Sequence, residues 1–137
     1  MNLKLLAQSK YQIVGVMVGN ECPAELFLKD GEKSTLSARL GLVKFLEKVA
    51  EVGLNNVPSA WFHEVDKKHG IYEFIKGPLR LFFFKGQRGQ IAVCTTGVRK
   101  SGQKVDKSSV SKAALMQAEY FAALNDNSVK VVCDDSQ

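Results

Sequence analysis

The chain has 137 residues, 45% of them hydrophobic, and a net charge of +5. That length suits one hydrophobic core and one domain over residues 1–137, and no run approaches the roughly eighteen apolar residues of a membrane span. Residues 1–10 carry lysines and no signal-type apolar run, so a cytoplasmic protein is expected.

The first predicted element is a β-branched apolar strand over residues 11–18, ended by Gly19-Asn20 and expected inside a sheet. Pro23 suits the first turn of a short helix over residues 24–29, before Asp30-Gly31 interrupts it. Ser34 or Thr35 then reads as the cap of a long helix whose apolar face holds Leu40, Val43, Leu46 and Ala50 and which stops at Gly53. Beyond a loop at residues 55–58, strands are predicted at 71–76, 79–85 and 90–96. Turn residues Gly77-Pro78 and Gly86 to Gly89 link them into an antiparallel meander. Alanine-rich residues 108–125 form a second long helix, and residues 126–137 are either a tail ending in Asp134-Asp135 or one more edge strand. The expected fold is α+β: a small antiparallel sheet, made of the N-terminal strand and the meander, packed against the two long helices.

Charge is distributed unevenly. From Lys76 to Lys112 nine bases face one acid, Asp106, so this segment holds +8 and the remainder −3. Such clustering favours a phosphate-bearing or acidic partner, the alternative being a solubilising face. Cys22, Cys94 and Cys133, with His63 and His69, lack metal-type spacing, which predicts three free thiols, no metal and no other cofactor.

Several strings carry a family resemblance. Pro23-Ala-Glu-Leu-Phe-Leu28 precedes the long helix, Gly70-Ile-Tyr-Glu-Phe74 opens the meander, and Leu79-Arg-Leu-Phe-Phe-Phe84 fills its middle. Thr96-Gly-Val-Arg-Lys100, followed by Gln103-Lys104, leads to the last helix. Over about residues 11–125 the chain resembles the RelE/ParE superfamily, in particular the phage-derived HigB-like branch of type II toxin–antitoxin toxins. It departs from that pattern at Val98, where an aromatic residue is usual, at Val105, where a proline is usual, and at Ile75, where a basic residue is frequent. The resemblance implies a toxin that cuts messenger RNA on the ribosome by attack of a ribose 2′-oxygen on the neighbouring phosphate, without a metal. It also implies a cognate antitoxin, a helix-turn-helix protein, as partner. Two other readings stand beside this one. The same fold can serve as a non-catalytic ParE-like gyrase inhibitor or phage-encoded binding module, or as a homologue without toxicity.

The implied chemistry needs cations around a phosphorane, a base for the 2′-hydroxyl and an acid for the 5′-oxygen. Arg80 is the first candidate, because a guanidinium can hold two phosphate oxygens at once. On a strand it shares a face with Phe82 and Phe84, and its plainer reading is a stem lying along apolar surface. Arg99 and Lys100 follow Gly97 at the end of the last meander strand and complete the candidate catalytic cations. Lys76, Lys104 and Lys107 are candidate RNA-backbone contacts, with Ser101 and Gln103 as neutral partners; a solvated loop lysine is the favoured reading of Lys107. Lys67-Lys68-His69 precedes the meander and is expected to approach Arg80, with His69 as candidate proton-transfer group and the two lysines as RNA contacts. His63, beside Trp61-Phe62, reads as part of a structural anchor, and Tyr120 and Cys94 read as packing residues.

Overall fold

Leu3 and Leu5 alternate with Lys4 along Asn2–Gln8, which forms strand β1 with Leu3 fully buried. A turn in which the Ser9 amide donates to the Tyr11 carbonyl returns the chain into β2, Gln12–Val16, whose β-branched residues suit a strand covered on both faces. Pro23 occupies the first position of α1, Pro23–Lys29, where its missing N–H has no partner to lose. Helix α2, Leu36–Val52, ends at Gly53, whose φ of +88° suits glycine. Strands β3 (Phe62–Asp66), β4 (Ile71–Lys76), β5 (Leu79–Phe84) and β6 (Gln90–Arg99) follow. Then come α3 (Lys107–Asn125), capped by an Asp106 carboxylate that accepts from the Ser109 amide at 3.1 Å, and β7 (Lys130–Val132). The computed structural model describes residues 1–100, 102, 104 and 106–133; Ser101, Gln103, Val105 and Asp134-Asp135 lie outside the described residues.

These strands form one seven-stranded sheet in the order β3-β4-β5-β6-β2-β1-β7. The mixed α and β composition and the meander agree with the sequence expectation, but the sheet is larger and is not purely antiparallel. Strand β2 runs parallel to β6, and β1 runs parallel to β7. Parallel neighbours require a crossover, which α1 and α2 with the first meander strands supply between β2 and β6, and the whole chain from β2 to α3 supplies between β1 and β7. The two missed strands have separate causes. Lys4 breaks the apolar character of β1, and Trp61-Phe62 has the composition of a loop anchor although Phe62 opens β3. For residues 130–132 the edge-strand alternative holds, with the Lys130 amide donating to the Met1 carbonyl at 2.9 Å.

Alternation along β5 divides the core between two faces. Leu81 and Phe83 pack with Leu42, Leu46 and Val49 of α2 and with Ala24 and Leu28 of α1. Phe82 and Phe84 pack with Ala113, Tyr120 and Leu124 of α3. The sheet therefore lies between α1 and α2 on one side and α3 on the other. Phe83 stacks on Phe74 at 4.1 Å, with Phe62 edge-on at 5.9 Å. Each such burial stabilises the fold by about 1.5–3 kcal/mol. The buried stripe of α2 differs from the expected one, since Leu40 is 54% exposed while Phe45 is buried. Thr35 precedes α2 but does not cap it through its side chain; its hydroxyl donates to the Glu32 carbonyl and accepts from Arg39 Nε.

Candidate functional site

Register fixes where Arg80 stands. Gly77, with φ of +55°, sits in the turn joining β4 to β5, so that Ile75 faces Arg80 and Val98 of β6 faces it from the other side. Arg80 therefore projects on the α3 side, as its alternation with Phe82 and Phe84 predicted. Its side chain is held locally. Nη1 donates to the Gly77 carbonyl at 2.8 Å and to its neighbour Leu79's carbonyl at 2.9 Å. Nε is buried, has no hydrogen-bond partner, and lies 3.5 Å from Glu73 Oε2. Among the described residues Nη2 has no hydrogen bond.

Glu73 lies on the same sheet face, opposite Phe82 and therefore diagonal to Arg80. It is 2% exposed, on a strand face shared with the apolar Ile71 and Phe82. A carboxylate there is expensive unless it is paired, since desolvating the charge costs several kcal/mol. Two side chains meet it, those of Arg80 and His63. His63, its direct partner across β3 and β4, brings Nε2 to 3.1 Å from the same Oε2 that faces Arg80. One oxygen atom thus ties an imidazole that is 55% exposed to a guanidinium that is 19% exposed.

The other predicted residues do not gather around Arg80. The turn holding Lys67, Lys68 and His69 joins β3 to β4 next to the Ile71–Phe84 pair, whereas Arg80 faces Ile75. Four residues of strand, roughly 13 Å, separate the two levels. The expected approach of His69 to Arg80 is therefore corrected: a hairpin puts its turn and its strand ends at opposite ends of the ladder. His69 instead places Nδ1 2.9 Å from Asp66 Oδ2, and its carbonyl accepts from Gln117 of α3. That hydrogen bond from His69 is the largest influence holding the Asp66 carboxyl below its usual range.

Lys76 and Arg99 belong to a second group. Leu79 faces both of them across its two neighbouring strands, and it packs on the α2 side. The Lys76 ammonium lies 5.6 Å from the centre of the Phe45 ring, and Arg99 Nη1 lies 3.2 Å from Glu32 Oε2. Pleating thus puts these two cations on the sheet face opposite Arg80. Lys100 donates its amide to the Pro78 carbonyl at 2.7 Å, and Lys104 is exposed. Lys107 is the first residue of α3 and lines a cavity with Val65, Asp66, Val110 and Ser111. Ser101 and Gln103 lie outside the described residues.

His69 and Arg80 thus stand at opposite ends of the hairpin, and Glu73, absent from the sequence candidates, is the acid beside Arg80. A signal for both was present. Glu73 is the one acid of β4 and stands between Tyr72 and Phe74, and the tight Gly77-Pro78 turn puts it diagonal to Arg80. The two thiols in the core, Cys22 and Cys94, are both pushed up in pKa by burial, the second strongly. Among the described residues no cluster of His, Cys, Asp and Glu could hold a metal, and no helix is long and apolar enough to cross a membrane. No family model and no curated protein matches the chain.

Proposed function

We propose that this chain is a cytoplasmic RelE/HigB-like toxin of a type II toxin–antitoxin pair, a ribosome-dependent endoribonuclease silenced by a cognate antitoxin with a helix-turn-helix fold. The observation that carries the reading is the fixation of Arg80. Two backbone carbonyls hold Nη1 while Nη2 is free of hydrogen bonds among the described residues. A guanidinium oriented in this way can receive a phosphate oxygen without first being ordered, and preorganised charge is the main requirement for stabilising a phosphorane. Further support comes from the element order, in which β2, α1 and α2 precede the antiparallel run β4-β5-β6 and then α3, with β1, β3 and β7 as additional strands. The strings that carry the family likeness fall on α1, on β4, on β5 and at the end of β6.

A second reading has its own support. Ile75 and Val98 flank Arg80, so the row bearing the candidate cation is otherwise apolar, and Glu73 sits against its charge. Those features suit a protein that binds without cutting, such as a ParE-like gyrase inhibitor or a phage-encoded interaction module.

Mapping messenger RNA 5′ ends on translating ribosomes after brief induction separates the two. The nuclease reading expects new cuts with the native chain, none with Arg80→Ala, and weak cutting with Arg80→Lys, which keeps the charge and loses the fork. Circular dichroism of each purified variant verifies that it is folded. Growth arrest with intact messenger RNA and failing DNA supercoiling would transfer the assignment to the binding module.

A further inference from the structure

We infer that His63 is the general base of the cleavage step and that Glu73 is its positioning residue. The inference rests on the endoribonuclease reading and adds to it the group that moves the proton.

Attack by a 2′-hydroxyl requires a base close to the cation that binds the phosphate. Three titratable side chains are tied together at that place, and only one of them fits the role. A guanidinium such as that of Arg80 has no lone pair to offer as a base. Glu73 is 2% exposed and engaged by both Arg80 and His63, so an RNA hydroxyl does not reach it. His63 is 55% exposed and linked to Arg80 through a single oxygen of Glu73. The other histidine, His69, is at the far end of the hairpin with Nδ1 on Asp66.

The contact with Glu73 also determines which nitrogen acts. Nε2 lies 3.1 Å from a carboxylate oxygen, so Nε2 carries the proton and donates, and the lone pair of the neutral ring is on Nδ1. In the step, Nδ1 takes the proton of the 2′-hydroxyl as the 2′-oxygen forms its bond to phosphorus. The bond from phosphorus to the 5′-oxygen breaks with its electron pair on that oxygen, which takes a proton from water. The imidazolium returns its proton to the hydroxide so formed. The products are a 2′,3′-cyclic phosphate and a 5′-hydroxyl, and the atoms balance with no other reactant. Glu73 faces the imidazolium as it forms, and Arg80 faces the phosphorane.

A structural explanation for the same cluster is that His63 and Arg80 merely neutralise a buried acid. It does not account for the acid itself, because an apolar residue at position 73 would continue a face already built from Ile71 and Phe82. A buried ion pair is seldom more stable than its apolar replacement. Positioning an exposed imidazole does require the carboxylate.

The test is single-turnover cleavage of messenger RNA on programmed ribosomes by the full chain, with His63→Ala, Glu73→Gln and added imidazole. His63→Ala should lose about 10²- to 10³-fold in rate and regain at least about ten-fold with imidazole, a recovery that a packing role would not produce. Glu73→Gln, which keeps an acceptor for Nε2, should lose less and show an altered pH–rate profile. Native-rate cleavage by folded His63→Ala, or a slow variant that imidazole does not restore, overturns the assignment of His63 while leaving the nuclease reading intact. If the native chain itself makes no cut, the nuclease reading fails and the inference fails with it, a result recognisable because it arises without any variant.

Discussion

His63 and Arg80 both contact Oε2 of Glu73, at 3.1 and 3.5 Å, although one side chain comes from the edge strand β3 and the other from β5. Strand β4 lies between them and supplies the shared acceptor. The pairing makes the stability of the site a joint property of three strands.

Arg80→Ala should therefore lower the unfolding free energy by about 3 kcal/mol, because it leaves a buried carboxylate with His63 alone. Adding Glu73→Gln should recover part of that loss, giving a coupling above about 1 kcal/mol in a double-mutant cycle. Urea unfolding at neutral pH measures both. Strict additivity would mean that the guanidinium and the carboxylate act independently.

Asp66 and His69 provide a pH signature. The hydrogen bond from His69 depresses the folded carboxyl pKa, so the folded state binds this proton less readily than the unfolded chain does. Its contribution is fully present above the unfolded value of ~3.9 and is lost as pH falls through the lower folded value. In His69→Ala the Asp66 carboxyl should titrate closer to ~3.9, which carbon-detected NMR can follow. No movement would remove His69 as the cause.

The three cysteines should separate by reactivity. Cys133 is exposed, whereas Cys22 and Cys94 are buried with pKa values raised by desolvation, and the thiolate is the reactive form. A colourimetric disulfide reagent at pH 8 should label one thiol in the native protein and three after denaturation. Rapid labelling of all three without denaturant would contradict the packing of α1 on β2 and β6.

Gly97 lets α1 approach the sheet. A Cβ built there meets the Phe27 ring at a distance no packing tolerates. Gly97→Ala should destabilise by about 1–3 kcal/mol through overpacking, read as a lowered thermal midpoint. Pairing it with Phe27→Leu should restore part of the loss, since the smaller side chain vacates the clash.

Much of the architecture was legible in the residues because local signals and tertiary demands agreed. Pro23 opened α1, Gly53 closed α2, and the Gly77-Pro78 turn joined two strands whose alternation predicted the face that Arg80 occupies. Where the two disagreed, local signals failed. Lys4 of β1 concealed a strand whose Leu3 is completely buried, and Leu40 fitted the apolar period of α2 yet faces outward. The favourable energy of both segments is decided by what packs against them.

The sequence by itself determined the order of α1, α2, α3 and of strands β2, β4, β5 and β6, the concentration of positive charge from Lys76 onward, and the pleated alternation that puts Arg80 beside Phe82 and Phe84. Only the tertiary structure decided which of those charges meet. Residues adjacent along a strand point to opposite faces, so Lys76 and Arg99 fall on the α2 side and Arg80 on the α3 side. A hairpin also sends its turn away from its strand ends, and so His63, rather than His69, shares a carboxylate with Arg80.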